Sequence, residues 1–134
     1  MSLYVDSSAL LKRYVQEPDS EAAESLLRSD SSLLTARHTI VEVRRSLARL
    51  LDDPDAAAMR AAFGQDLEAL SIVELDSATC DSAAAIAEVT GARTLDALHL
   101  AAAQRVGGAA VPFLTFDLRQ AQAARSLGLT VIGA

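Results

Sequence analysis

Five short apolar runs, each separated from the next by one or two stretches of helical spacing, constrain this chain more than any other feature. The runs are residues 3–5, 32–35, 72–75, 111–115 and 130–132. Between them, apolar residues recur every three or four positions, predicting helices at about 7–15, 21–28, 39–51, from a cap at Asp55 to about 70, from a cap at Asp76 to about 89, 95–106 and 118–127. Strands this short, uniformly apolar and alternating with helices imply an α/β fold whose parallel sheet is covered on both faces. In such sheets, ligands bind beyond the carboxyl ends of the strands, where strand order reverses. Attention therefore falls on Asp6, just after the first run, and Asp117, just after the fourth. If those strands are neighbours, the two carboxylates converge.

The 134 residues fit one domain spanning 1–134. No apolar stretch approaches the ~18 residues that cross a bilayer. An acid arrives too early for a secretory signal, so a cytoplasmic protein is expected. The single cysteine, Cys80, has no disulfide partner and is read as a small buried hydrophobe. Formal charge is −6, from 18 acids against 12 bases, which argues against a phosphate-binding surface spread over the whole molecule. Four acids held at one site would account for −4 of that −6, and two Mg²⁺ ions would add +4. Lys12 is the sole lysine; the other bases are Arg, which makes forked contacts with phosphate.

Each acid of interest also has a purely structural explanation. Asp6 can cap the following helix. Asp117 and Gln120 have the spacing of a capping box. Asp96 falls in a first helical turn, where negative charge suits the dipole. A helical wheel places Glu42 opposite Ile40, Val43 and Leu47, on the side of Arg45 and Arg49, where a surface ion pair would account for it. Asp76 follows a strand and begins a helix just as Asp6 does, and is assigned the cap alone. A chemical reason for several acids together also exists. Mg²⁺ prefers oxygen ligands, and two such ions ~4 Å apart can serve both sides of a phosphodiester displacement. That reaction needs three or four carboxylates and no Ser, Cys or His nucleophile.

The opening Tyr4-Val5-Asp6-Ser7-Ser8-Ala9-Leu10, the helical Glu42, the stretch Leu95-Asp96-Ala97-Leu98-His99-Leu100-Ala101 and the run Phe113-Leu114-Thr115-Phe116-Asp117 occur in this order across nearly the whole chain. Together they resemble the PIN-domain ribonucleases, and within these the VapC-type toxins of bacterial toxin–antitoxin pairs. The resemblance implies a three-layer domain with a five-stranded parallel sheet of order 3-2-1-4-5, and an acidic tetrad of Asp6, Glu42, Asp96 and Asp117 that binds Mg²⁺ or Mn²⁺. It further implies cleavage of RNA, homodimerisation, and inhibition by a cognate antitoxin protein that fills the site.

Around the tetrad, Ser7 and Thr115 carry hydroxyls suited to holding a carboxylate or a metal-bound water. His99 sits one turn beyond Asp96 and is expected to support a ligand rather than to be one. Arg37, Arg44, Arg93 and Arg119 flank the tetrad in sequence and are candidates for RNA contacts, with ordinary surface charge as the alternative. A haloacid-dehalogenase phosphatase would need an acid two residues after Asp6, where Ser8 stands. A receiver domain would need a late lysine that this chain lacks. A PIN fold that binds RNA or a protein without catalysis is the remaining alternative.

Overall fold

The structure, a computed structural model, describes residues 2–29 and 32–134. Its strands are β1 (Ser2–Val5), β2 (Ser32–Ala36), β3 (Ser71–Val73), β4 (Phe113–Thr115) and β5 (Val131–Gly133). They form one parallel sheet of order β3-β2-β1-β4-β5, as the resemblance implied. The helices are α1 (Ser7–Leu11), α2 (Ser20–Arg28), α3 (Thr39–Leu50), α4 (Asp53–Leu67), α5 (Ser77–Thr90), α6 (Thr94–Val106) and α7 (Leu118–Ser126).

Side chains of β1 alternate between two cores. Leu3 and Val5 join Leu114, Leu10, Val43, Leu47 and Phe63 on the face covered by α1, α3 and α4. Tyr4 points the other way and stacks on Phe113, among Leu100, Ile86 and the buried alanines of α5, α6 and α7. Leu3, Tyr4 and Val5 are all fully buried, which is what the central strand of a doubly covered sheet requires. Register then fixes the top of the sheet. Val5 lies opposite Leu114, and the amide of Asp6 donates to the Leu114 carbonyl at 3.2 Å. Asp6 therefore leaves β1 beside Thr115, the last residue of β4. On the far side of β4, Gly133 of β5 pairs with Thr115 at φ +101°, and a Cβ there would meet the Thr115 carbonyl oxygen at 2.5 Å. Only glycine allows that approach.

Several expectations need correction. The first helix stops at Leu11 rather than Val15, and single turns carry the chain to Tyr14 and Val15. The cap of α4 is Asp52, not Asp55; its side chain accepts the Asp55 amide at 3.3 Å, with Pro54 in the first turn. Proline has no amide hydrogen to lose there, so it starts this helix instead of separating two. Before β4, Gly108–Ala110 forms a 3₁₀ turn whose Gly108 carbonyl takes the Val111 amide, so the strand begins at Phe113. Cys80 is exposed, not buried. Helix α5 buries the stripe Thr79, Ala83 and Ile86, and Cys80 lies one step round the wheel from it.

Candidate active site

Four elements deliver the four acids to one place. Asp6 ends β1 and caps α1; Glu42 lies in the first turn of α3; Asp96 lies in the first turn of α6; Asp117 caps α7 after β4. All four, with Ser7, Ser8 and His99, line one small cavity of about 80 Å³. The parallel topology is the cause. It sets β1 next to β4, so helices beginning after both strands start side by side.

Capping and site geometry are not alternatives at these positions. Asp6 Oδ1 accepts the Ala9 amide at 3.0 Å and the Ser8 hydroxyl at 2.7 Å. Such a cap is worth about 1 kcal/mol. Asp117 Oδ1 accepts the Gln120 amide at 3.0 Å. The reciprocal half of the expected capping box is absent, because the Asp117 amide donates to Thr115 Oγ1 at 3.1 Å. That leaves the buried Gln120 side chain free to donate from Nε2 to the Asp96 carbonyl at 3.1 Å. Gln120 thus ties the first turns of α6 and α7 together and keeps Asp96 close to Asp117.

Glu42 departs furthest from the helical-wheel expectation. The side of α3 opposite Val43 and Leu47 is not bare surface at this level, because α1 and the start of α6 pack beside it. Among the described residues Glu42 has no Arg partner. Its Oε1 accepts from Ser7 Oγ at 2.5 Å and from His99 Nε2 at 2.9 Å, and stands 3.5 Å from His38 Nε2. Since a carboxylate can only accept, the His99 nitrogen facing it carries the ring hydrogen, and Nδ1 accepts from the Tyr4 hydroxyl at 2.8 Å. His99 thus contacts Glu42 from within the core and is itself held from behind by Tyr4. His38 went unnoticed in the sequence. Its four-residue spacing from Glu42 and its being one of only two histidines were the available signals.

Burial and the carboxylates themselves set the electrostatics. Asp6 is only 4% exposed, and desolvation raises its pKa against the opposing influence of the His99 charge and the contacts from Thr115, Ala9 and Ser8. Asp96 is raised first by burial and next by the charge of Asp117, with smaller contributions in the same direction from Asp6 and Glu42. For Glu42, burial works upward, but the hydrogen bonds from His99 and Ser7 hold its carboxyl below the ordinary range. Burial, followed by the charge of His99, depresses His38 to about 4.

This is a pocket short of positive charge and lined by oxygen donors, the chemistry that a hard divalent cation fits. Among the described residues, however, the only three ligand groups whose donor atoms lie mutually within 4.8 Å are His38, Glu42 and His99. No three of the acids Asp6, Glu42, Asp96 and Asp117 close to that distance.

The remaining candidates divide. Thr115 is fully buried and holds the Asp117 amide. Arg93 and Arg119 line a groove of about 540 Å³ that includes Asp96 and Gln120. Arg37 is instead paired through two nitrogens with Glu74, and Arg44 lines a separate groove between α3 and α4 with Arg45 and Arg60. Neither shares the acidic cavity.

The PIN domain family model matches residues 3–126. Ribonuclease VapC46 of Mycobacterium tuberculosis is 37% identical over 131 residues, covering 98% of this chain and 96% of the relative. Among solved structures, FitAcB from Neisseria gonorrhoeae aligns with a TM-score of 0.72 at 18% identity, over 98% of this chain and 96% of that one. Mycobacterium tuberculosis VapC20, described as a sarcin-ricin loop cleaving toxin, aligns with a TM-score of 0.70 at 18% identity, over 90% and 94%. With its strand order, its converging acids and a match along nearly its whole length, this chain belongs to the PIN-domain family, where it is similar to the VapC-type ribonucleases.

Proposed function

We propose that the chain is a metal-dependent endoribonuclease, the toxin of a toxin–antitoxin pair, with Asp6, Glu42, Asp96 and Asp117 as its catalytic acids. The observation that carries this reading is the single cavity lined by those four residues from four separate elements. Its kinship with VapC46 and the fold it shares with VapC20 support RNA as the substrate class, and an antitoxin partner belongs to the same reading. Homodimerisation, a cytoplasmic location and a one-domain chain belong to the same reading. No helix is long and apolar enough to cross a membrane among the described residues.

In this reading the four carboxylates are the residues that would hold Mg²⁺ or Mn²⁺. When bound, the ion supplies charge neutralisation of the phosphate and acidification of the attacking water. The side chains do the rest. Ser7 and His99 keep the Glu42 carboxylate ionised and aimed at the cavity. Ser8 and the α1 amide take one oxygen of Asp6 and fix its carboxylate, which would be a ligand of the ion. One carboxylate, Asp96 or Asp117, would accept the water's proton. Arg93 and Arg119, on the groove that opens at Asp96, hold flanking phosphates.

The test is cleavage of a structured RNA by purified protein in Mg²⁺, with Asp6→Asn and excess chelator as controls. Cutting by wild type alone, abolished by chelator, is expected. Equal cutting by wild type and Asp6→Asn, or cutting that survives the chelator, removes the site. Tight RNA binding by wild type without any cutting would mean a binding module.

A further inference from the structure

Both histidines of the chain stand on the same carboxylate oxygen. His99 Nε2 is 2.9 Å and His38 Nε2 is 3.5 Å from Glu42 Oε1. Bonds of ~2.0–2.2 Å at octahedral or tetrahedral angles separate neighbouring ligand atoms by roughly 2.8–3.6 Å. Two of the three edges of the cluster are already of that length, and the third lies within 4.8 Å. Two imidazoles and one carboxylate are also a different donor set from the oxygen-only remainder of the cavity, suiting borderline ions such as Zn²⁺ rather than Mg²⁺.

Burial supports the same assignment. His38 is 8% and His99 2% exposed, so both rings are held in place before any ion arrives. His38 Nε2 donates to the Leu95 carbonyl at 3.0 Å, while its Nδ1 is buried with no partner. Coordination through Nε2 moves each ring hydrogen to Nδ1. In His99 the Tyr4 hydroxyl then turns from donor to acceptor, the arrangement by which a partner behind the ring fixes a ligating histidine. In His38 the Leu95 carbonyl loses its donor and the ring hydrogen moves to Nδ1, which has no acceptor in the structure, so coordination by His38 carries a cost that coordination by His99 does not.

We propose that His38, Glu42 and His99 form a transition-metal site for Zn²⁺, distinct from the Asp6, Asp96 and Asp117 carboxylates and sharing only Glu42 with the acidic tetrad. Zn²⁺ bound there withdraws Glu42 from the other cation. That consequence rests on the nuclease reading; the site itself does not.

The test uses the untagged full chain with ¹⁵N-labelled histidine and does not read RNA cleavage, so it stands whether or not the chain cuts RNA. With two imidazoles in the molecule, both ring spectra are resolved without any variant. One equivalent of Zn²⁺ is expected to shift both Nε2 resonances and transfer both ring hydrogens to Nδ1. Co²⁺ is expected to give visible absorption bands that Zn²⁺ displaces. His38→Ala should weaken Co²⁺ binding at least ~10-fold, with its circular dichroism spectrum showing that it is folded, and Asp117→Asn should retain the bands. Imidazole resonances that stay in place at one equivalent would overturn the assignment. So would Co²⁺ bands that persist in His38→Ala but vanish in Asp117→Asn, since the ion would then sit among the aspartates.

Discussion

Asp6 and Asp76 perform the same local task in opposite surroundings. Each follows a strand, each adopts extended backbone, and each takes the amide of the third residue onward, Ala9 or Thr79, on its Oδ1. Asp76 lies at the outer part of the sheet, exposed, with Thr79 and Arg105 around it, and its pKa is lowered first by the Thr79 hydroxyl and amide and then by Arg105. Asp6 lies at the centre, buried beside other carboxylates, and its pKa is raised by desolvation. A cap is therefore not a reason to dismiss an acid from a site. What separates the two is position in the strand order, which decides whether the free carboxylate oxygen meets solvent and an arginine or a cavity of like charges.

The largest expected contrast is in activity. Asp6→Asn keeps a capping oxygen yet should lower RNA cleavage by more than ~10²-fold, whereas Asp76→Asn should cut at the wild-type rate. Single-turnover cleavage of one labelled RNA measures both, and matching rates for the two variants would erase the distinction. A smaller effect is expected at Ser7, whose hydroxyl lies 2.5 Å from Glu42. Ser7→Ala should cost about 10-fold in cleavage, recovered in part at higher Mg²⁺. A loss that no Mg²⁺ concentration reduces would mean that Ser7 acts on the RNA instead.

Thermal stability of the metal-free protein should separate the two aspartates by sign. The raised pKa of Asp6 means that its contribution is present below the ordinary carboxylate value and is lost as pH rises through the folded-state value. Asp6→Asn should therefore melt higher than wild type near pH 7, with the gain shrinking as pH falls. Asp76, with a lowered pKa, contributes above the ordinary value and loses that contribution on acidification. Asp76→Asn should melt lower than wild type at pH 7 and converge with it in acid. Melting curves across pH 3–8 check both signs, and curves running in the same direction would break the comparison. The smallest shift should come from Mg²⁺, which is expected to raise the melting temperature of wild type and Asp76→Asn but not of Asp6→Asn.

Much of the fold was legible because its signals are local. Five apolar runs of strand length and the helical spacing between them account for every element of the sheet and its covering helices. Glycine and aspartate mark most of the boundaries, among them Gly91, whose φ of +75° ends α5. Errors arose where a local rule had two outcomes. Pro54 could stop one helix or start another, and the hydroxyl of Thr115 competed for the amide that Gln120 was expected to take. Glu42 shows the limit of a helical wheel, which identifies the side of a helix facing the main core but not a second side covered by α1 and α6. Cys80 erred in the other direction, since residue type alone placed it inside while the stripe Thr79, Ala83 and Ile86 turned it out.

Sequence by itself determined which residues are acids, which of them begin helices and which strands must lie in the interior, because propensity, capping and periodicity act over a few neighbouring residues. Tertiary structure alone decided that β1 and β4 are neighbours, that Gln120 straps Asp96 to Asp117, and that both histidines close on Glu42. Those relations join positions far apart in the chain, Val5 and Leu114 among them, and they arise only when burial of two apolar faces fixes the order of the strands.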